Sequence, residues 1–441
     1  MSQSKNDTLI GKAGSTYVGF DAITPHQQAL QKKLPNKILL IFTLGLLAMN
    51  ASLVNDAVIP ALLDLSTYFN ASVEQIQAII PYFAIGLGIG QLIWGPCIDR
   101  FGRKSIIMLL VVLGLILNGI LQFTANYTAL LTVRVLQGIV FSGIGSIPSI
   151  VLKDAYSPKD FVIYNSYLMS IFFFGPALAP MIGGWLLLIM PWKGIYYFIS
   201  LLILFSAAVF LIKIPETLDP EKRQSLNTIR ILKNYGAILK DPRSVVLILA
   251  FTTFELASFA YPTLLPAVLM IDYKVSSTNS SYFLAMLIVF LSLGMYVSQH
   301  LIKKGVNLQT IWTVAAAGQV LAVALNILVI YTVKNEYTIT AAMCSNTFFS
   351  GMISSSIMMV YLTRYPHITG TASSLMQAIM LLVPGLVISH CDFIIKSDRH
   401  EGTTMLLITG AAIALSGLCS LFYRAVWGIN SSAGAGMAAG H

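Results

Sequence analysis

Three ionisable side chains, Asp56, Arg134 and Glu255, stand inside long apolar stretches of this 441-residue chain. A charge held in hydrocarbon is costly, and where one persists it usually meets a partner or a wet cavity. At ~1.5 Å per residue, Asp56 and Arg134 reach similar depths in their stretches, about 10 Å inside the same boundary, while Glu255 falls near the middle of its own. Opposite charges at one depth offset part of each other's burial cost. Two readings stay open for this pair. One is a static structural ion pair. The other is a titrating centre, since burial favours a protonated carboxyl and a neighbouring guanidinium favours an ionised one. On the second reading Asp56 is the main proton-coupling carboxylate and Arg134 tunes it. Glu255 lies in Phe254-Glu255-Leu256-Ala257-Ser258-Phe259-Ala260-Tyr261-Pro262. A lone acid among aromatics at that depth suits a cavity that binds a cationic group or a second proton. The alternative is a protonated Glu255 hydrogen-bonded to a nearby Ser or Tyr.

The elements that must position these groups follow from composition. Of the residues, 56% are hydrophobic and only 10% charged, against about 25% charged in a soluble domain. Apolar stretches recur at 38–62, 75–97, 105–125, 128–151, 161–189, 194–213, 244–271, 280–302, 308–331, 337–361, 368–391 and 402–424. Each can cross ~30 Å of hydrocarbon. Backbone groups in lipid must be satisfied within the segment, so the stretches are expected to be helices. The expected fold is an all-α membrane protein with twelve transmembrane helices. Lys193, Lys274, Lys334, Lys396 and Arg399 fall on one side and Arg134 inside a span, whereas every other Lys and Arg falls on the opposite side. The positive-inside rule therefore puts both termini in the cytoplasm.

The polar stretch 214–243 divides the spans into two sets of six, as expected of two bundles that rock against each other. The expected organisation is a cytoplasmic N-terminal tail at 1–36, a six-helix bundle at 37–213, the middle loop at 214–243, a second bundle at 244–425, and a flexible tail or tag scar at 426–441. The formal charge of +9 does not indicate a nucleic-acid partner, because the basic residues are scattered over short loops. Cys97, Cys344, Cys391 and Cys419 lie in or beside apolar runs without metal-ligand spacing and are read as small buried hydrophobes. No secretory signal precedes the first span, whose apolar run is too long for one. A membrane enzyme would need a nucleophile–base pair or a metal cluster at one depth, and the six scattered His supply neither. A sensor or scaffold without transport would append a signalling domain or lose the buried charges. Neither is seen.

The densest local motif is Gly95-Pro96-Cys97-Ile98-Asp99-Arg100-Phe101-Gly102-Arg103-Lys104, where the second span reaches the basic side. Gly95 and Gly102 permit close backbone approach. Asp99 is expected to cap a neighbouring helix N-terminus, and Arg100 and Arg103 to pair with carboxylates. Further segments of note are Arg134-Val135-Leu136-Gln137-Gly138 in span 4 and Gly175-Pro176-Ala177-Leu178-Ala179-Pro180-Met181-Ile182-Gly183-Gly184 in span 5. The glycines and prolines of the latter thin and bend their helix. Plain helix packing explains each of these residues singly. Asn50, Asn55, Tyr82, Gln137, Tyr261 and Gln377 are polar or amphipathic residues within spans, each serving as a cavity contact or as a helix–helix hydrogen bond. His300, His390 and Asp392 lie at span ends and are read as interfacial.

The segment 95–104 resembles the G-x-x-x-D-R-x-G-R-K signature of the major facilitator superfamily. Gly86-Leu87-Gly88-Ile89-Gly90-Gln91-Leu92-Ile93-Trp94 before it looks like the bicyclomycin-resistance (Bcr/CflA, MdfA-like) branch of its drug:proton antiporters. Residues 134–138 and 175–184, Asn55 to Leu62, Ile214 to Leu218 and Gly370 to Leu375 match further family stretches, so the resemblance spans about 37–425. It implies two six-helix bundles, alternating access and proton-coupled export of drugs or amphipathic small molecules. It also implies a monomer in the bacterial inner membrane that draws on the proton gradient and uses no cofactor. Export or uptake of one metabolite, such as a siderophore, amino acid or nucleoside, is the alternative. The resemblance implies gating roles for Gly95, Asp99, Arg100, Gly102, Arg103, Lys104, Gly175, Pro176, Gly183, Gly184 and Gly370, with Asp99 contacting the start of span 11 near Gly370. The second-half counterpart, Gln299 to Gly305, lacks an Asp, so the latch should be asymmetric. One departure matters. The best-known multidrug relative carries a second acid eight residues before the counterpart of Asp56, where this chain has Ala48, and it has no acid matching Glu255.

Overall fold

The computed structural model describes residues 23–220, 228–306, 308–332, 335–365 and 368–389, with parts of 409–426. The expectations for residues 1–22, for Asp392 and His390, for Cys391 and for the tail at 427–441 lie outside the described residues. The helices in chain order are α1 (Pro25–Gln31), α2 (Lys37–Asp56), α3 (Leu62–Phe69), α4 (Val73–Gln77), α5 (Ile79–Phe101), α6 (Arg103–Phe123), α7 (Tyr127–Ala155), α8 (Pro158–Leu186), α9 (Lys193–Lys213), α10 (Thr228–Lys240), α11 (Pro242–Ala267), α12 (Ser277–Lys303), α13 (Leu308–Thr332), α14 (Glu336–Thr363) and α15 (Thr369–Ser389). Among the described residues there is no strand. Nine helical stretches there are long and apolar enough to cross a membrane, and shorter apolar helices at Thr310–Asn326 and Thr409–Cys419 fall in spans 9 and 12.

The helices begin where side chains can satisfy the free N–H groups of the first turn. Asn36, Asn126, Ser157, Asp241, Ser276 and Asn335 each accept a backbone hydrogen bond at the N-cap of a span. Span 1 departs from a continuous helix. Helix α2 stops at Asp56, a 3₁₀ turn occupies Ile59–Ala61, and α3 carries the chain on. Pro60 supplies the physical reason, since it has no N–H to continue the ladder. Part of the expected N-terminal tail is also ordered. Thr24 closes a capping box on α1, and Gln27 and Gln31 donate at 2.8 Å to the carbonyls of Tyr156 and Ala155, which end α7. Within the expected middle loop, α10 forms a helix that leads into α11.

Close helix crossings rest on glycines with no room for a Cβ. One at Gly86 would overlap the Val135 carbonyl of α7, and one at Gly90 would come 2.6 Å from the Ile139 carbonyl. Across the other half, a Cβ at Gly294 of α12 would overlap the Phe348 carbonyl of α14. Small residues that let backbones meet are the usual means of association between membrane helices. The halves also touch each other. Gly385 of α15 lies on Pro81 and Ile85 of α5, and Trp185 of α8 donates to Tyr282 of α12 at 3.0 Å. These contacts gather at the end opposite the basic motif. At the basic end a Cβ at Gly370 would meet nothing within 4 Å, and one at Gly95 would meet only Ser374 Oγ, at 3.9 Å. The halves thus pack closely at the end opposite the basic motif, and at the basic end Gly95 still faces Ser374 of α15.

Candidate functional site

Arg134 is fully buried on α7, and all five of its N–H donors are used. Nε donates to the Ile79 carbonyl at 3.0 Å. Nη1 reaches the Val54 carbonyl at 3.1 Å and Gln137 Oε1 at 3.2 Å. Nη2 reaches the Asn55 carbonyl at 3.5 Å and Asn55 Oδ1 at 2.8 Å. Val54 and Asn55 are in the last turn of α2, whose final carbonyls have no helical partner. The break at Asp56 thus frees acceptors, and the guanidinium takes them where the helix dipole favours a cation. The Phe83 ring covers it at 4.8 Å.

The direct Asp56–Arg134 pair expected from depth is not formed. Asn55 stands between the two, because the guanidinium is already committed to the backbone. Its Oδ1 accepts from Arg134 and its Nδ2 donates to Asp56 Oδ1 at 2.8 Å. Asp56 is half-buried, and its other carboxyl oxygen carries no hydrogen bond among the described residues. In the opposite direction the chain of bonds continues. Gln137 donates to Asn118 of α6 at 2.8 Å, and Asn118 to Ser200 of α9 at 3.1 Å. Asn118 and Ser200 were not singled out from the sequence. Their signal was depth, since Asn118 is a polar residue at the level of Gln137.

The span 5 motif packs against this same point. A Cβ at Gly183 would overlap the carbonyl of Ala57, the residue after Asp56, and one at Gly175 would come 3.3 Å from Met49 and Ser52 of α2. A Cβ at Gly184 would instead come 3.0 Å from Ser281 Oγ of α12. Pro176 lies within α8.

Other candidates separate. Asn50 is buried and donates to Ser206 of α9 at 3.1 Å. Gln377 bonds within its own helix, to Ser373 at 2.8 Å. Tyr82 is half-buried on α5. The Tyr261 side chain lies outside the described residues. Glu255 is half-buried near the middle of α11 and has no hydrogen bond or ion pair among the described residues. Ser258, a possible partner by sequence, donates to the Phe254 carbonyl of its own helix at 3.3 Å. Among the described residues no cluster of His, Cys, Asp or Glu could hold a metal.

At the basic end three expectations are corrected. The N-terminus of α6 is capped by Glu216, which accepts from the backbone N–H of Arg103 at 3.0 Å and of Lys104 at 2.9 Å; Asp99 does not cap it. Gly102 makes this possible, for its φ is +93° and a Cβ there would stand 2.6 Å from Glu216 Oε2. Asp99 instead pairs with Arg103 at 3.1 Å, and no hydrogen bond or ion pair joins it to α15. Arg103 also pairs with Asp154 at 2.8 Å. Arg100 is exposed over the Phe101 ring at 5.4 Å and pairs with no carboxylate among the described residues. The other half carries a latch that the motif reading missed. Asp241 accepts from Arg364 at 2.6 Å, from Ser244 at 2.8 Å and from Tyr365 at 3.1 Å. Burial pushes the Asp241 carboxyl up, but the bonds from Arg364 and Ser244 outweigh it and hold it below the usual range.

Comparison with known proteins agrees with this architecture. The bicyclomycin resistance protein homolog of Haemophilus influenzae is 31% identical over 389 residues, covering 87% of this chain and 95% of that protein. The multidrug transporter MdfA of Yersinia pestis is 24% identical over 349 residues, covering 76% and 81%. In fold, a D-xylose–proton symporter superposes with a TM-score of 0.69 at 16% identity, covering 90% of this chain and 98% of that one. The sequence pattern of the Major Facilitator Superfamily matches residues 41–388. With its apolar helices and its glycine crossings, this chain belongs to the Major Facilitator Superfamily and is a multi-pass membrane transporter.

Proposed function

We propose that the protein exports drugs or other amphipathic small molecules in exchange for protons, with Asp56 as the coupling acid. The observation that carries this is the arrangement around Asp56. Its carboxyl sits at the break of α2, held through one oxygen by Asn55, while the other oxygen is left for a proton. A fixed cation, Arg134, stands one amide away. Such a carboxyl can be neutral or ionised at little structural cost, as a proton-coupled carrier requires. The names of its relatives, a bicyclomycin resistance protein homolog and a multidrug transporter, support drugs as the cargo.

On this reading the protein works as a monomer in the bacterial inner membrane with both termini in the cytoplasm. It uses the proton gradient, takes protons and a small molecule as its partners besides lipid, and needs no cofactor. The basic end then faces the cytoplasm. Gly183 and Gly184 stand between the Asp56 turn and the other half, Gly175 and Pro176 shape the same helix, and the contacts of Gly95, Asp99, Arg103, Lys104 and Gly370 change as the halves rock. The test is transport in proteoliposomes with an imposed pH gradient. The wild type should couple drug movement to proton movement. Asp56→Asn should bind drug but lose the dependence on the gradient. Full gradient-driven transport by Asp56→Asn would remove Asp56 from this role.

A further inference from the structure

We infer that α10 is a membrane-surface helix that binds anionic phospholipid in the leaflet at the basic end, with Lys233 and Lys240 meeting the headgroup phosphates. The occupant is lipid and not cargo, so the site is independent of the export reading.

The helix carries Arg230, Lys233 and Lys240 and no acid. It does not continue the span that follows, because Asp241 parts it from α11 with an extended backbone, φ −80° and ψ 111°. At about 100° per residue its described side chains divide into three rows. Tyr235 and Ile238 face the core of the C-terminal half, where Ile238 is fully buried. Leu232 and Leu239, two turns apart, form the next row and stay 61% and 47% exposed. Lys233 and Lys240 form the third, beside the leucines and opposite the core. Both are exposed and make no hydrogen bond or ion pair among the described residues.

Protein on one side, then an apolar row, then cations is the order met by a helix lying in the membrane plane against a bundle. The leucines enter the acyl boundary, and the lysines lay their stems along it with their charges among the phosphates. Exposed leucines alone would suit a neutral lipid equally well. The lysine row, on a helix without an acid, supplies the charge complementarity that selects an anionic headgroup. The helix also touches both α11 and α15. Lipid held there lies beside Asp241, whose carboxylate accepts from Arg364 and Tyr365.

The other short helix at this end shows the contrast. Helix α1 is tied to α7 by Gln27 and Gln31 and buries Leu30. It turns Pro25, Gln28 and Ala29 outward and contains no Lys or Arg. Its outer face offers lipid neither a leucine row nor a cation. Docking on protein accounts for α1 and leaves two of the three rows of α10 unexplained.

The test is amide hydrogen exchange of the full-length protein in lipid nanodiscs, made of phosphatidylcholine alone or mixed equally with phosphatidylglycerol. In the wild type, exchange across α10 should slow at least about fivefold when phosphatidylglycerol is present, the effect expected of one lysine at an anionic surface. High salt should reverse the slowing. In K233Q/K240Q the slowing should vanish, while α5 and α7 exchange as in wild type and so report an intact fold. L232S/L239S should exchange faster across α10 in both kinds of disc. Equal wild-type exchange in the two kinds of disc would overturn the assignment. So would slowing that survives K233Q/K240Q, or leucine variants that exchange no faster. Slowing by inorganic phosphate in phosphatidylcholine discs would indicate a soluble-anion site and overturn it. Slowing confined to discs that hold two copies would give the face to a second chain and overturn it as well.

Discussion

The two halves share a skeleton and fill it differently. In the N-terminal half Gly90 lies on the Ile139 carbonyl, and in the C-terminal half Gly294 lies on the Phe348 carbonyl. Ile139 and Phe348 stand equally far from the N-caps Asn126 and Asn335. The buried amides correspond as well. Gln137 bonds Asn118 in one half, and Gln319 bonds Asn346 and Ser350 in the other. Arg134 has as its counterpart Met343, equally buried. Asp56 has Tyr261, at the same step from the helix cap. So one half holds a charged network around a helix break, while the other keeps the scaffold and has Met343 and Tyr261 where Arg134 and Asp56 stand.

Exchanging the counterparts should break this comparison most severely. Arg134→Met leaves the Val54, Asn55 and Ile79 carbonyls without a donor inside the membrane. The loss should be about 3–5 kcal/mol, seen as a lowered unfolding temperature in detergent together with lost transport. Arg134→Lys, with three donors in place of five, should recover only part. Met343→Arg should destabilise by a similar amount, because no broken helix waits to receive it. Tolerance of both exchanges would mean that the halves are interchangeable at this level.

A smaller effect should show the shared skeleton. Gly90→Ala and Gly294→Ala should each cost about 1–3 kcal/mol, for a methyl has no space at either crossing. Gly145→Ala, where a Cβ meets nothing within 4 Å, should be neutral or stabilising by up to ~1 kcal/mol. Equal losses at Gly90 and Gly294 would sharpen the comparison, and a loss confined to one half would break it.

The smallest effect concerns the latches at the basic end. Asp241 is held below its ordinary value, so its contribution to stability is complete above the unfolded-state pKa of about 3.9 and disappears as pH falls through the lower folded value. Wild type and Asp241→Asn should therefore converge in unfolding temperature in acid below about pH 4 and separate at neutral pH. The gap should be at most about 1 kcal/mol, since the pair is partly exposed. A gap that widens toward acid pH would contradict the latch.

Much of this was legible in the sequence, for definite reasons. Long apolar runs define spans because lipid leaves a backbone no alternative, and the depth count put Asp56 and Arg134 at one level, where Asn55 links them. It could not show that Asn55 stands between the two charges, because that depends on where α2 ends. Pro60 was the available signal. The capping of α6 by Glu216 was hidden for another reason. Glu216 and Gly102 are far apart in the chain, and only the fold brings the exit of α9 beneath the start of α6. The Asp241–Arg364 latch also joins distant residues and belongs to no motif considered.

Gly183 and Gly184 carry a consequence of their own. They are neighbours in the chain, yet one bears on the carbonyl after Asp56 and the other on α12 of the opposite half. A side chain at either position would wedge α8 away from what it touches. The pair thus acts as a thin shim between two moving bodies. With no compressible side chain in the joint, a displacement of the Asp56 turn is delivered to the far half instead of being absorbed along the way.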